Sequence, residues 1–131
     1  MRPIAISNSK RNRPSNTKTT PMKPKKVLKP WGSEIWFAHS RQYVGKIIYV
    51  KKGHQLSRQY HRFKHETVYA DKGRWVLEIA GRKRQMKPGD CAVVKPKVIH
   101  RFTAPYEDIR LLEVSTPQVK DVIRLEDDYG R

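Results

Sequence analysis

Residues 53–73 read GHQLSRQYHRFKHETVYADKG, and the way this stretch folds decides the architecture of the rest of the chain. Glycines close it at both ends, and between them two short runs with period-two patterning flank a polar connection, which predicts a β-hairpin. Side chains two residues apart on a strand share a face, so Ser57, Gln59 and His61 point one way on the first strand. Glu66, Val68 and Ala70 share a face of the second. Gln59, His61 and Glu66 are therefore expected to meet at one point, as three ligands of a metal ion. His100, downstream of a Gly89-Asp90 turn, is the candidate for a fourth. Nitrogen and oxygen ligands of this kind suit zinc or another divalent first-row metal such as manganese, cobalt or iron.

Working outward, the chain from Val27 onward is a series of short apolar runs split by turn residues: LKPWGSEIWFAH, RQYVGKIIYVKKG, RWVLEIAG, CAVVKPKVIHRFTA and DIRLLEVSTP. Val, Ile, Tyr and Trp dominate, and no segment holds apolar residues at helical spacing over a dozen positions. The pattern predicts an all-β antiparallel sandwich or barrel. Only the final stretch, VKDVIRLEDDYGR, with its mixed charge, is expected to form a helical turn.

A chain of 131 residues with 37% hydrophobic composition supports one domain with a modest core. Its formal charge of +17 favours anionic partners: phosphorylated metabolites, nucleic acid or an acidic surface. The charge is uneven, because residues 1–30 hold nine Lys or Arg and no acid. Residues 1–26 lack large apolar side chains in number and are expected to be a disordered basic tail, leaving 27–131 as the folded domain. Such an arm can engage nucleic-acid phosphates through counterion release, although no aromatic residue is interleaved for stacking. Pro3, Pro14, Pro21 and Pro24 argue against an amphipathic transit peptide. One cysteine, Cys91, excludes an intramolecular disulfide framework, and its place before AVV reads as a buried small residue. No apolar run reaches the roughly 20 residues of a membrane helix or the roughly 7–15 of a signal-peptide core, which points to the cytoplasm.

Two spacings are recognisable. Gly53-x5-Gln59-x-His61-x4-Glu66-x6-Gly73 resembles the first cupin motif with Gln in place of its first His, and Gly89-x10-His100 resembles the second. KPWGSEIW at 29–36, HRF at 100–102 and VIRLEDDYGR at 122–131 are similar to the cupin domain of type II phosphomannose isomerases, over about residues 29–131. The resemblance implies a jelly-roll barrel (a double-stranded β-helix) that binds one divalent metal through Gln59, His61, Glu66 and His100 and interconverts mannose 6-phosphate and fructose 6-phosphate. It also implies that Arg131, in DYGR, lies near the sugar phosphate, and fold analogy implies a homodimer formed through edge strands. The chain departs from the family where Lys95-Pro96-Lys97 replaces a Pro-x-Gly, where Arg62-Phe63 replaces a histidine-rich run, and where Ala104 replaces an Asn.

Moving a proton between C1 and C2 of a sugar needs a Lewis acid, a base and cations for the phosphate. Lys46, Arg58 and Arg131 are candidates for the anionic charge, with Lys46, Ser57 and Arg131 forming the expected substrate contacts. The base is open among Glu113, Lys46 and His54, so Lys46, Glu113 and Arg131 form the expected catalytic group. Arg58, out of phase with Gln59, is expected on the outer face, and His65 on the solvent side. His39 is expected in a turn, and Trp31, Trp36 and Trp75 in the core or a subunit interface. The alternative is a non-catalytic cupin that binds a metal and an anion in a regulatory role.

Overall fold

Three seven-residue strands carry the barrel, two of them with strictly alternating burial. In the computed structural model, which describes residues 21–131, Val44–Val50 (β3) buries Val44, Lys46, Ile48 and Val50. Glu66–Lys72 (β6) buries Glu66, Val68 and Ala70, and Ile109–Ser115 (β11) buries Ile109, Leu111, Glu113 and Ser115. The inner faces of β6 and β11 are polar at one end and apolar at the other, and Lys46 joins the polar side from β3, so the barrel has a packed plug and a polar mouth. The plug is built from Trp31, Ile48, Leu56, Val68, Trp75, Leu77, Met86, Phe102 and Leu111, with Trp75 and Phe102 edge to face at 5.3 Å. Each large side chain buried in it contributes about 1.5–3 kcal/mol.

The remaining strands are Lys25–Lys29 (β1), Gly32–His39 (β2), His54–Gln55 (β4), Arg58–Tyr60 (β5), Trp75–Ile79 (β7), Arg82–Met86 (β8), Cys91–Val94 (β9), His100–Ala104 (β10) and Ile123–Glu126 (β12). They form two antiparallel sheets, one ordered β1-β2-β3-β11-β6-β9 and the other β12-β5-β10-β7-β8 with β4 also on β10. This is the all-β jelly-roll expected. Among the described residues there is no helix, and none is therefore long and apolar enough to cross a membrane.

Four expectations are corrected. The stretch 53–73 is not a hairpin: β5 pairs with β10 and β12, whereas β6 pairs with β11 and β9 in the opposite sheet. Residues 61–65 cross between the sheets, and the Asp121 carboxylate holds the crossing by accepting the backbone N–H groups of Arg62, Phe63 and Lys64. The expected C-terminal helical turn is instead β12, an edge strand on β5, whose solvent side explains its charged residues. Cys91 is exposed, because Ala92 and Val94 take the inward positions of β9. Lys25 and Lys26, placed in the basic tail, begin β1; residues 1–20 of that tail lie outside the described residues.

Gly32 shows how tightly β2 and β3 are joined. A Cβ there would sit 2.0 Å from the Tyr49 carbonyl oxygen, at a φ of +156°. Gly32→Ala is expected to lower stability by about 2–3 kcal/mol in urea unfolding, because backbone must move to admit it. An unchanged midpoint would show that the two strands can part freely. Lys97 adopts a left-handed φ of 69°, a conformation that favours glycine.

Candidate metal centre

The two sheets face each other, and that is how ligands from different sheets converge. His61 leaves the end of β5, His100 opens β10 beside Gln59, and Glu66 opens β6 across the barrel. All three are buried, and their ligand atoms lie within 4.8 Å of one another. His61 Nε2 is 3.1 Å and His100 Nε2 3.2 Å from the same Glu66 Oε1.

The ring orientations are set from behind. His61 Nδ1 donates to the Asp121 carbonyl and His100 Nδ1 donates to the Val98 carbonyl at 2.9 Å. A carbonyl can only accept, so in the neutral ring each Nδ1 carries the hydrogen and each Nε2 presents a lone pair. Two such lone pairs and a carboxylate aimed at one point repel unless a cation lies between them. Both Glu66 oxygens and His100 Nε2 have no hydrogen-bond partner. Buried polar atoms left this way are rare, and this donor set fits a divalent ion.

Gln59 sits beside the cluster, its amide nitrogen 3.5 Å from His61 Nε2 and its amide oxygen accepting from the Ser57 hydroxyl. Turning the amide over would offer the oxygen to the cluster while Ser57 accepts from the nitrogen. Ser57, expected to contact substrate, is instead buried behind Gln59 and positions it.

Beyond the ligands, a pocket opens at the polar mouth. It is lined by Gln59 and His61, by the cations Lys29, Lys46, Lys64, Arg124 and Arg131, and by the carboxyl groups of Glu34 and Glu113. Trp31, Trp36, Ile48, Leu56 and Phe102 form its apolar wall. Lys46, expected here, is buried: its ammonium lies 3.5 Å from Glu34 and 4.4 Å from the Trp36 ring centroid. Glu34 also accepts from Trp36 Nε1 at 2.9 Å, which fixes the trio. Arg131 lines the pocket with its guanidinium on the Asp127 carboxylate at 3.1 Å.

Glu113 is paired with Lys64 at 3.1 Å. Burial pushes the Glu113 carboxyl up to about 8, and the neighbouring Glu66 charge adds to the shift while Lys64 opposes it. Burial would raise Glu66 too, but the close approach of Glu113, His100 and His61 and the Lys64 charge hold it well below the usual carboxylate range. A bound divalent ion would hold Glu66 ionised in the same direction.

Arg58 lies on the outer face, as its phase relative to Gln59 predicts, tied to Glu78 at 3.1 Å and away from the pocket, so it is not an anion contact there. His54 Nδ1 is 2.8 Å from the Tyr129 hydroxyl and does not line the pocket, which removes it as a base. His65 is exposed as expected, and His39 ends β2 against Trp36 at 5.3 Å. Trp31 and Trp75 are core, whereas Trp36 is half-buried at the mouth.

The sequence reading missed Lys64, Glu34, Lys29 and Arg124. Among the described residues Lys29 and Arg124 make no ion pair, whereas the other three pocket cations do. Burial lowers the Lys29 pKa, with Lys46, Arg131 and Arg124 adding to the effect against Glu34. Four cations thus crowd one region of the mouth. The alternation of KVLKPWGSE, with Lys29 and Glu34 inward, was the available signal.

Residues 45–115 match the family pattern described as Cupin domain. A comparison with curated proteins finds no match. Among solved structures, an RmlC-like cupin from Shewanella frigidimarina superposes with a TM-score of 0.69 at 18% identity, covering 82% of this chain and 96% of that one. KdgF from Halomonas sp. gives 0.68 at 20% identity, over 76% of this chain and 90% of that one. A sugar phosphate isomerase of the cupin superfamily from Silicibacter pomeroyi gives 0.58 at 25% identity, over 64% of this chain and 58% of that one.

Proposed function

The chain belongs to the cupin domain family, and from that premise we propose that it is a metal-dependent aldose-ketose isomerase acting on a sugar phosphate, with mannose 6-phosphate and fructose 6-phosphate as the pair. The observation that carries this reading is one pocket that reaches the His61, Glu66 and His100 cluster through His61 and Gln59 and is also lined by Lys29 and Arg124, which make no ion pair among the described residues. The similarity to a sugar phosphate isomerase from Silicibacter pomeroyi supports it, as does the DYGR ending. His61, Glu66 and His100, with Gln59 beside them, would hold the ion. When bound, it supplies Lewis-acid polarisation of the sugar's carbonyl and hydroxyl oxygens.

The chain's own side chains do the rest. Lys29 and Arg124 take the phosphate, Arg in a forked contact. Lys46 and Arg131, held by Glu34 and Asp127, keep positive charge over the reacting oxygens without having to reorganise. Of the two pocket carboxyls outside the ligand cluster, Glu34 is held by Lys46 and Trp36, and Glu113 moves the proton between C1 and C2. Trp31, Trp36 and Phe102 exclude water from that exchange.

Arg124→Ala is expected to raise KM for the sugar phosphate by about 10–100-fold with kcat changed far less, since a hydrogen bond to a charged group contributes about 1.5–3 kcal/mol. Steady-state kinetics on a panel of phosphorylated and unphosphorylated hexoses tests both that claim and the substrate class. Equal turnover of free mannose would remove the phosphate from the reading.

A second reading is a non-catalytic cupin that binds a metal and an anion. Lys95-Pro96-Lys97 at the pocket's second motif favours it. Thermal stabilisation by sugar phosphates without any turnover would select it. A role for the basic arm in nucleic-acid binding is the weakest reading, and salt-dependent RNA binding that survives deletion of residues 1–26 would remove it. The composition and the lone Cys91 fit a reducing cytoplasm.

A further inference from the structure

Of the three inward donors, His61 is the one that no strand holds. Glu66 is fixed in β6 between ladder partners on both sides, Ser115 and Val94. His100 lies in β10 opposite both Ile79 and Gln59. His61 follows β5, a strand of three residues, and stands outside it. Its backbone is held at the carbonyl, which accepts from the Lys97 N–H at 2.6 Å. The aim of its ring depends on a different part of the chain, the connection between β11 and β12.

Side chains of that connection accept every backbone N–H between His61 and Glu66. The Asp121 carboxylate takes Arg62 at 3.0 Å, Phe63 at 2.7 Å and Lys64 at 3.0 Å, and the Thr116 hydroxyl takes His65 at 2.9 Å. Asp121 does more than grip, because its main-chain carbonyl also accepts from His61 Nδ1. The connection's own main chain does little to hold that carbonyl in place. Its Val119, Asp121 and Val122 N–H groups bond to Pro117, Gln118 and Lys120, within the connection itself. The carboxylate is therefore the anchor, and any substitution at 121 keeps the carbonyl in the chain but releases where it points.

We propose that Asp121 is a positioning residue for the metal centre: by gripping residues 62–64, its carboxylate fixes the carbonyl that aims His61 Nε2 at Glu66 and His100. The proposal rests on the metal reading of that cluster and adds to it a residue 60 positions away from His61 in sequence. A histidine whose Nδ1–H is fixed in this way meets the ion with its tautomer set and its ring already turned, and loss of such a partner typically weakens metal binding by about 10–100-fold. Coupling of this kind is reciprocal. An ion that fixes the His61 ring also fixes the Asp121 carbonyl, so metal binding should slow the opening of the crossing. Val122 and Arg124 line the pocket just beyond this joint, so the same anchor seats the wall that carries Arg124. The Thr116–His65 bond supplies the contrast, since it grips the same crossing but touches no ligand ring.

The test is the cobalt(II) affinity of the full chain, measured by competition with a chelator and followed through the ion's visible spectrum, in Asp121→Ala, Asp121→Asn and Thr116→Val. Asp121→Ala removes all three acceptor contacts and should weaken cobalt by about 10–100-fold, with an altered spectrum. Asp121→Asn can still turn its amide oxygen to part of the crossing and should fall between Asp121→Ala and the unmodified chain. Thr116→Val frees the His65 N–H, yet should bind cobalt as the unmodified chain does. Amide exchange at Arg62, Phe63 and Lys64 should slow when zinc is added to the unmodified chain, and should not respond to zinc in Asp121→Ala. Circular dichroism checks the fold, and if Asp121→Ala is unfolded the Asp121→Asn comparison decides in its place. Unchanged cobalt affinity in the folded Asp121 variants would overturn the proposal. An equal loss in Thr116→Val would do so too, since the crossing would then be a general support. An unmodified chain that binds neither cobalt nor zinc would instead remove the metal reading, and this proposal with it.

Discussion

Replacing His100 by alanine is expected to strip the bound metal and abolish turnover, the largest functional effect the site offers. His100 supplies one of three inward donors, and its Nε2 has no other partner. Altering only the groups behind a metal ligand typically costs about 10–100-fold, so loss of the ligand itself should exceed about 1,000-fold in kcat/KM. Elemental analysis should fall from one ion per chain toward none. Chelation gives an independent readout. The unmodified protein should lose thermal stability in EDTA, by about 2.7 kcal/mol if the free metal stood at 100 times its Kd. The His100→Ala variant should melt at the same temperature with or without chelator. A variant that keeps its metal would move the centre away from His61, Glu66 and His100.

Lys64→Ala is expected to give the largest loss of stability. Lys64, 5% exposed, is the cation between Glu113 at 3.1 Å and Glu66 at 3.9 Å, both buried. Burial alone would lower its pKa, but the Glu113 and Glu66 charges outweigh this and raise it. Removing one member of such a group leaves buried charge uncompensated, a cost of about 3–5 kcal/mol. For a domain of this size, that is a fall in Tm of at least about 10 °C. The paired change Lys64→Met with Glu113→Leu should recover part of the stability while losing activity, because it removes the Lys64–Glu113 pair together but leaves the Glu66 carboxylate without its cation. Thermal unfolding in EDTA separates these cases. A Lys64→Ala protein as stable as the original would show that the pair is not the structural tie between β11 and the crossing segment.

How much of this was legible in the sequence follows from what alternation can encode. Period two tells which face a side chain takes, so Val68 and Ala70 were placed on one face with Glu66, and the spacing of Gln59, His61, Glu66 and His100 assembled the cluster. It does not tell which sheet a strand joins. The stretch 53–73 therefore read as a hairpin, although its two halves hydrogen-bond to β10 and β11 on opposite sides of the barrel. Lys64 looked like a loop cation because the groups that bury it, Glu113 above all, lie 49 residues away. Arg124 and Lys29 belong to the pocket only because β12 and β1 run along its mouth, and β12 was read as a helical turn from its charges. Cys91 was assigned inward because CAVV reads as one apolar run, yet β9 is an edge strand whose alternate residues face out.

The central claim is tested most directly by following mannose 6-phosphate in D2O by proton NMR, with protein stripped of metal and then given one equivalent of zinc, manganese or cobalt. The account predicts fructose 6-phosphate, with exchange of the C2 proton, in at least one metal form and none after chelation. Folded protein that holds one ion per chain, yet neither converts the sugar phosphate nor exchanges that proton with any of the three metals, would contradict it.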